Sequence, residues 1–250
     1  MHLTNITNKQ YQIIHLLYRF RFLNRIQIQH LLQHKNHRRI ISWLTDLTDK
    51  NYIGKQEHDS QVLRKPSVYY IVRKSIQQLR AHSECDKNNL NKLYKEHIKS
   101  GEFINLHLSI ADIFLSLNDK YTDTLVFFTR ADFTKDSIIR EISPHFTYKR
   151  KESESYFIGE LFLDKMPYFA VRNRIDEYIS FFQTFDWLKY DKLPKLLFIC
   201  PNKKIEAYVL HFTQRRFQEE NIEIDVFITT KENVKKCGVE NEIWTQIKTS

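Results

Sequence analysis

Two short runs, KLLFIC at residues 195–200 and IDVFIT at 224–229, are almost unbroken in apolar side chains. A strand with one wet face alternates apolar and polar residues. A strand that does not alternate is normally buried on both faces, in a sheet covered by helices. The pair therefore demands a helix-covered sheet, and the periodic segment Lys204–Glu219 between them supplies one helix. Upstream, the pattern predicts strands over Thr124–Thr129, His145–Tyr148 and Tyr156–Asp164 and a helix over Tyr168–Phe185. Residues 102–250 are thus expected to form an α/β domain. It opens with a helix from Glu102 whose broad apolar face runs through Phe103, Leu106, Ile110 and Leu117, with His107 and Asp112 in structural roles.

The first third is patterned differently. Thr7 or Asn8 can cap a helix carrying Tyr11, Ile13, Ile14, Leu16 and Leu17, and Asn24 can cap a second with Ile26, Ile28, Leu31 and Leu32 inward. A third helix begins near Asn36. Turning at 100° per residue, it points Ile40, Leu44 and Leu47 inward, with Ile41 and Trp43 flanking. NYIGKQE and SVYYIVR then alternate as strands about a polar loop, His58 to Pro66, and SIQQLR closes as a short fourth helix. Three helices and a two-stranded ribbon describe a winged helix-turn-helix over residues 1–81. The polar stretch 82–101 reads as a linker, helical in part.

Charge separates the same two regions. Residues 1–81 hold 14 Lys and Arg against 4 Asp and Glu, a net +10, while 82–250 hold 25 against 26, a net −1. Such asymmetry is the electrostatic footprint of a nucleic-acid-binding module joined to a neutral partner. The third helix sharpens the point. Lys35, His37, Arg38 and Arg39 crowd its start, where the helix itself bears roughly half a positive charge and disfavours cations by about 0.3–1 kcal/mol each. An external polyanion resolves the conflict, because a recognition helix enters the DNA major groove by its N-terminal end. Arg38, Ser42 and Thr45 lie on the exposed side as candidate base readers. Arg64 and Lys65, in the loop between the strands, suit phosphate or minor-groove contact. The deep groove of A-form RNA fits a helix poorly, so double-stranded DNA is the expected partner.

Other chemistries are poorly served. Four glycines rule out a phosphate-cradling Gly-rich loop, and neither a G-x-S-x-G elbow nor an H-E-x-x-H helix occurs. Three scattered cysteines build no disulfide framework, and His82-x-x-Cys85 lacks the second pair a metal site needs. No cofactor or metal is expected. No apolar stretch approaches bilayer length, and MHLTNITNKQYQ lacks the apolar core of a signal peptide, so the expected location is cytoplasmic, without membrane contact.

Four blocks in order carry a resemblance: SVYYIVRKSIQQL, HLSIADIFLSL, YFIGELFLDKMPYFAVRNRIDEYISFF and KLLFICPNKKIEAYVLHF. Together, from about Ile6 to Thr230, they resemble the bacterial replication-relaxation family of plasmids and mobile elements, in which an acidic-ended strand is followed by a helix of the form Lys/Arg-x-x-x-Tyr. Arg174 to Tyr178 matches that form. The resemblance implies a second domain similar to the restriction-endonuclease-like core. Mg²⁺ nucleases of that kind need convergent carboxylates and an acid-x-lysine triplet. Here Pro144-His145 stands at the expected acid, and Glu160, Phe162, Asp164 and Lys165 provide no such triplet.

The expectation is a non-enzymatic DNA-binding protein of a plasmid or mobile element. It would act in replication or in relaxosome assembly and mobilisation, as a homodimer, with a replication initiator or relaxase as a further partner. The rivals are a transcriptional repressor of the same element and a Mg²⁺ nuclease around Glu160 and Asp164. Aromatic residues along and just after the Tyr168 helix (Tyr168, Phe169, Tyr178, Phe181, Phe182 and Trp187) exceed what one core face needs, and either mark where a dimer would meet or all pack inside the domain.

Overall fold

Thr7 starts the first helix, α1 (Asn8–Phe20), with a reciprocal cap: its side chain accepts the Gln10 amide while Gln10 reaches back to the Thr7 amide. The same device recurs at Asn24 and Gln27 to open α2 (Arg25–Leu31). The computed structural model describes residues 6–57, 66–81, 85–134, 137–151, 153, 155–184 and 193–248. The chain divides into two compact units, Met1–Leu115 and Ser116–Ser250. The fold is mixed α+β. Among the described residues no helix is long and apolar enough to cross a membrane.

In the first unit, α3 (His37–Asp49) follows α2, then β2 (Ile53–Gln56), β3 (Val68–Ile71) and α4 (Arg73–Arg80). β2 pairs antiparallel with β3, and the two-residue β1 (Leu23–Asn24) pairs with the other edge of β3. Gly54 stands opposite Tyr70, whose ring tip lies so close that a Cβ would sit 2.3 Å from it, so a side chain here would have to push the half-buried Tyr70 ring aside. Ile13, Ile14 and Leu17 of α1, Ile28 of α2, and Ile40, Leu44 and Leu47 of α3 are buried, as the helical spacing predicts. Ile26 departs from expectation: it is 56% exposed, and the polar Gln27 beside it is buried instead.

Gln27 also explains why the boundary differs from the expected one at residue 81. Its Nε2 donates to the Leu108 carbonyl at 2.9 Å and to Asp112 Oδ1 at 2.6 Å, on the long helix α6 (Gly101–Tyr121). Phe22, Val68 and Ile104 share a small core, and Phe103 and Phe22 meet edge to face with ring centroids 6.1 Å apart. Residues 85–98 are not a detached linker either. They form α5 (Lys87–Asn91) and a 3₁₀ stretch (Lys92–Ile98) that bury Leu90 and Leu93, and the fully buried Glu96 takes Arg21 in an ion pair of 2.5 Å. The polarity that suggests a linker is spent on long-range pairing.

The second unit is a six-stranded sheet in chain order: β4 (Leu125–Thr129), β5 (Phe146–Arg150), β6 (Tyr156–Leu161), β7 (Lys195–Cys200), β8 (Val226–Thr230) and β9 (Thr245–Ile247). The first three strands and the last pair run antiparallel. β6, β7 and β8 are parallel, linked by α8 (Tyr168–Thr184) and α9 (Lys203–Glu219). Those helices cover one face, where Ile158, Leu196, Phe198, Val226 and Ile228 meet Val171, Ile175, Tyr178 and Val209. The short α7 (Ile139–Ile142), α10 (Lys231–Cys237) and β9 are elements that the sequence pattern does not reveal.

Candidate nucleic-acid interface

The start of α3 is built around Asn36, whose side-chain oxygen accepts the amides of Arg38 at 3.0 Å and Arg39 at 3.3 Å. With Ile40, Leu44 and Leu47 buried, the opposite side of the helix faces outward. Lys35, His37, Arg38, Arg39, Ser42 and Thr45 are all exposed. The helix has no acid in its first turn. Its carboxylates stand at the far end, where Asp46 is held by Lys50 at 2.8 Å and by Gln10 at 2.5 Å. Cations therefore stand at the positive end of the helix dipole with no acid in the first turn to offset them, while Lys50 and Lys74 accompany the acids at the far end. Among the described residues, Lys35, Arg38 and Arg39 form no ion pair with a carboxylate.

The two arginines differ. The Arg39 guanidinium lies 5.7 Å from the centre of the Trp43 ring, one turn on, while the His34 ring meets Trp43 edge-on at 5.0 Å. Arg39 is thus laid along an aromatic surface, whereas among the described residues no aromatic or acidic partner holds Arg38. Ile41, expected at the flank, is 44% exposed beside Arg38 and Ser42, an apolar side chain on the outward face of the helix. Arg64 and Lys65 lie outside the described residues. By composition the first unit, residues 1–115, has 18 Lys and Arg against 9 Asp and Glu. It thus holds the whole net charge of +9, and the second unit is neutral with 21 of each sign.

A second constellation lies in the second unit, at the end of β6. Glu160 is 3% exposed, and three side chains converge on it: His145 Nδ1 at 3.0 Å, an Arg174 Nη2 donor at 2.8 Å, and the Tyr178 hydroxyl donating at 2.9 Å. Arg174 also donates to the Ile142 carbonyl at 2.8 Å and to Glu177 at 2.6 Å. His145 Nδ1 is within 3.2 Å of the Leu161 amide, so this nitrogen either donates to the carboxylate or accepts from the strand. Burial opposes ionisation of Glu160, but the His145 and Arg174 charges and hydrogen bonds outweigh it and hold the carboxyl far below its usual range. Burial, with the Arg130 and Arg174 cations behind it, holds His145 below its ordinary 6.5 despite Glu160. Burial and the Glu160 charge push the Tyr178 phenol well up.

The result is a carboxylate fixed from every side. Asp164, the other acid of the nuclease alternative, is not brought to it. Asp164 is exposed on the turn after β6 and accepts from Asn202 Nδ2 at 2.7 Å, at the start of α9. Among the described residues no group of three His, Cys, Asp or Glu is arranged to hold a metal.

Compared with known proteins, the chain matches no family model, no curated protein and no solved structure.

Proposed function

We propose that the first unit is a winged helix-turn-helix that binds a specific duplex DNA site, with α3 in the major groove and β2, β3 and their loop as the wing. The observation that carries this is the start of α3: Lys35, His37, Arg38 and Arg39 exposed, with no acid in the first turn, on a unit that holds the whole net charge. Arg38, Ser42 and Thr45 read base edges, and Lys35, His37 and Arg39 hold phosphates. The four-block resemblance to replication-relaxation proteins supports a role on a plasmid or mobile element, in replication or mobilisation. The second unit acts as a non-catalytic scaffold for dimerisation or for an initiator or relaxase. Glu160 engaged by His145, Arg174 and Tyr178 supports that assignment, because hydrolysis assisted by a metal needs carboxylate lone pairs free to coordinate.

The test is footprinting of the full chain on its parent element, with the Arg38, Arg39, Arg64 and Lys65 quadruple alanine variant beside it. One protected tract at an origin of replication or transfer, lost in the variant, is expected. A variant that keeps wild-type affinity and an intact circular dichroism spectrum would sink the assignment.

A further inference from the structure

The face of the second unit's sheet that α8 and α9 leave uncovered carries a cavity of about 410 Å³. That is within the size range of small-molecule sites. Its walls are aromatic. Tyr148 and Phe157, cross-strand partners on β5 and β6, stack at 4.6 Å and 8°, and Phe227, Tyr121 and Trp244 line the remainder. Trp244 is fixed in place, its indole N–H donating to the Val239 carbonyl at 2.8 Å.

Polar groups sit at two places on this apolar frame. Arg150 and Lys195 bring two cations; the first lies 5.2 Å over the Tyr121 ring, and the second is 5.7 Å from the Phe227 ring and 3.0 Å from Asp225. Glu240 and Asn241 bring acceptors, Glu240 being held by the Ser116 hydroxyl at 2.9 Å. The Tyr148 side chain is 7% exposed, yet its hydroxyl has no hydrogen-bond partner among the described residues.

The geometry points to a binding site for a planar, nitrogen-bearing aromatic ring that carries an anionic substituent, the chemistry of a mononucleotide. The ring lies against Trp244 and the Tyr148 and Phe157 pair. Its N–H groups donate to Glu240 and Asn241, and its anion meets Arg150 and Lys195. The Tyr148 hydroxyl gains the partner that the protein alone does not give it.

Calorimetric titration of the full chain with AMP, GMP, CMP and UMP tests this, with ribose 5-phosphate as the charge-only control. At least one mononucleotide should bind with a Kd below about 1 mM. Trp244→Ala, and separately Arg150→Gln at an exposed position, should each weaken it by about tenfold or more while the melting curve is kept. Tyr148→Phe removes only the hydroxyl and should weaken it less. No binding of any of the four to folded wild type would overturn the assignment. Unchanged binding in both variants, or ribose 5-phosphate binding as tightly as the nucleotide, would also overturn it.

Discussion

Asn36 caps the helix whose arginines it precedes: one side-chain oxygen takes the amides of both Arg38 and Arg39, at 3.0 and 3.3 Å. The cap spends on itself two of the amides that a helix start offers to a phosphate, so in the proposed DNA complex attraction is left to the arginine side chains. Asn36→Ala should cost about 0.5–2 kcal/mol in urea unfolding. Asn36→Asp separates cap from charge. Asp caps as well as Asn, so stability should hold, yet a carboxylate facing the duplex should lower affinity in fluorescence anisotropy. Equal affinity of Asn36→Asp and wild type would place the DNA elsewhere.

Salt dependence counts the contacts. Four phosphate contacts from Lys35, Arg39, Arg64 and Lys65 give log K a slope against log salt of roughly −3.6, at about −0.9 per contact. Replacing Arg64 and Lys65 by Ala should weaken all sequences alike and flatten the slope by roughly two. Replacing Arg38 should fall mainly on the specific site, by about 1–3 kcal/mol if it reads a guanine. A uniform loss at Arg38 across specific and random duplexes would show it to be a phosphate contact only.

What the sequence makes legible follows the range of the forces involved. The inward face of α3 is plain because burial repeats with the helix and needs no knowledge of the partner. Ile26 misleads because α2 is short and its start is set by the Asn24 cap, which turns Gln27 inward to Leu108 and Asp112 and leaves Ile26 outside. Residues 82–101 look like a linker because hydropathy weighs Glu96 as a solvated charge. Its partner Arg21 lies 75 positions away. The acid at the end of β6 and the Arg-x-x-x-Tyr of α8 are visible as a block, but that Arg174 and Tyr178 both close on Glu160 depends on how α8 packs on the sheet. Ile247 joins the sheet opposite Val226 from a tail too short to show a period.

The Glu160 network should govern the acid limb of stability. His145 has a folded pKa below 6.5, so as pH falls below 6.5 the unfolded chain takes up a proton that the folded one refuses, and stability drops. Glu160, also depressed, adds a contribution present above its ordinary 4.5 and lost as pH falls toward its folded value. Both shifts have the same sign: stability rises with pH through this range. Glu160→Gln leaves Arg174 with only the exposed Glu177 as counter-charge and should destabilise at neutral pH, by less than the roughly 3–5 kcal/mol of a fully unpaired buried ion. His145→Gln should flatten the pH dependence just below 6.5. A variant with the wild-type profile there would remove His145 as its source.

The same network bears on cutting. Supercoiled plasmid incubated with the protein and Mg²⁺ or Mn²⁺ should stay supercoiled, since Glu160 is occupied and Asp164 faces Asn202 instead of joining it. Nicking by wild type that disappears in Glu160→Ala or Asp164→Ala would establish a nuclease after all.

The working species should be a dimer joined through the second unit. A single DNA-binding module buries only roughly 600–1,000 Å² on DNA. Specific binding at physiological salt therefore usually takes two modules on half-sites about one helical turn apart. The second unit, with 21 charges of each sign, sets no net electrostatic barrier to self-association. Of the aromatic residues expected at the contact, Tyr178, Phe181 and Phe182 pack inside the unit, and Trp187 lies outside the described residues. Tyr168 and Phe169 remain, 40% and 60% exposed, with Tyr168 meeting Tyr208 of α9 at 4.3 Å and Tyr208 stacked on Phe212 at 6.2 Å. This strip across α8 and α9 is where a second copy should sit. Sedimentation at micromolar protein should show a dimer, and Phe169→Glu should return it to monomer with the circular dichroism spectrum kept and site affinity reduced. A monomeric wild type that protects only one half-site would dismiss the dimer, and a Phe169→Glu variant that stays dimeric would move the contact off this strip.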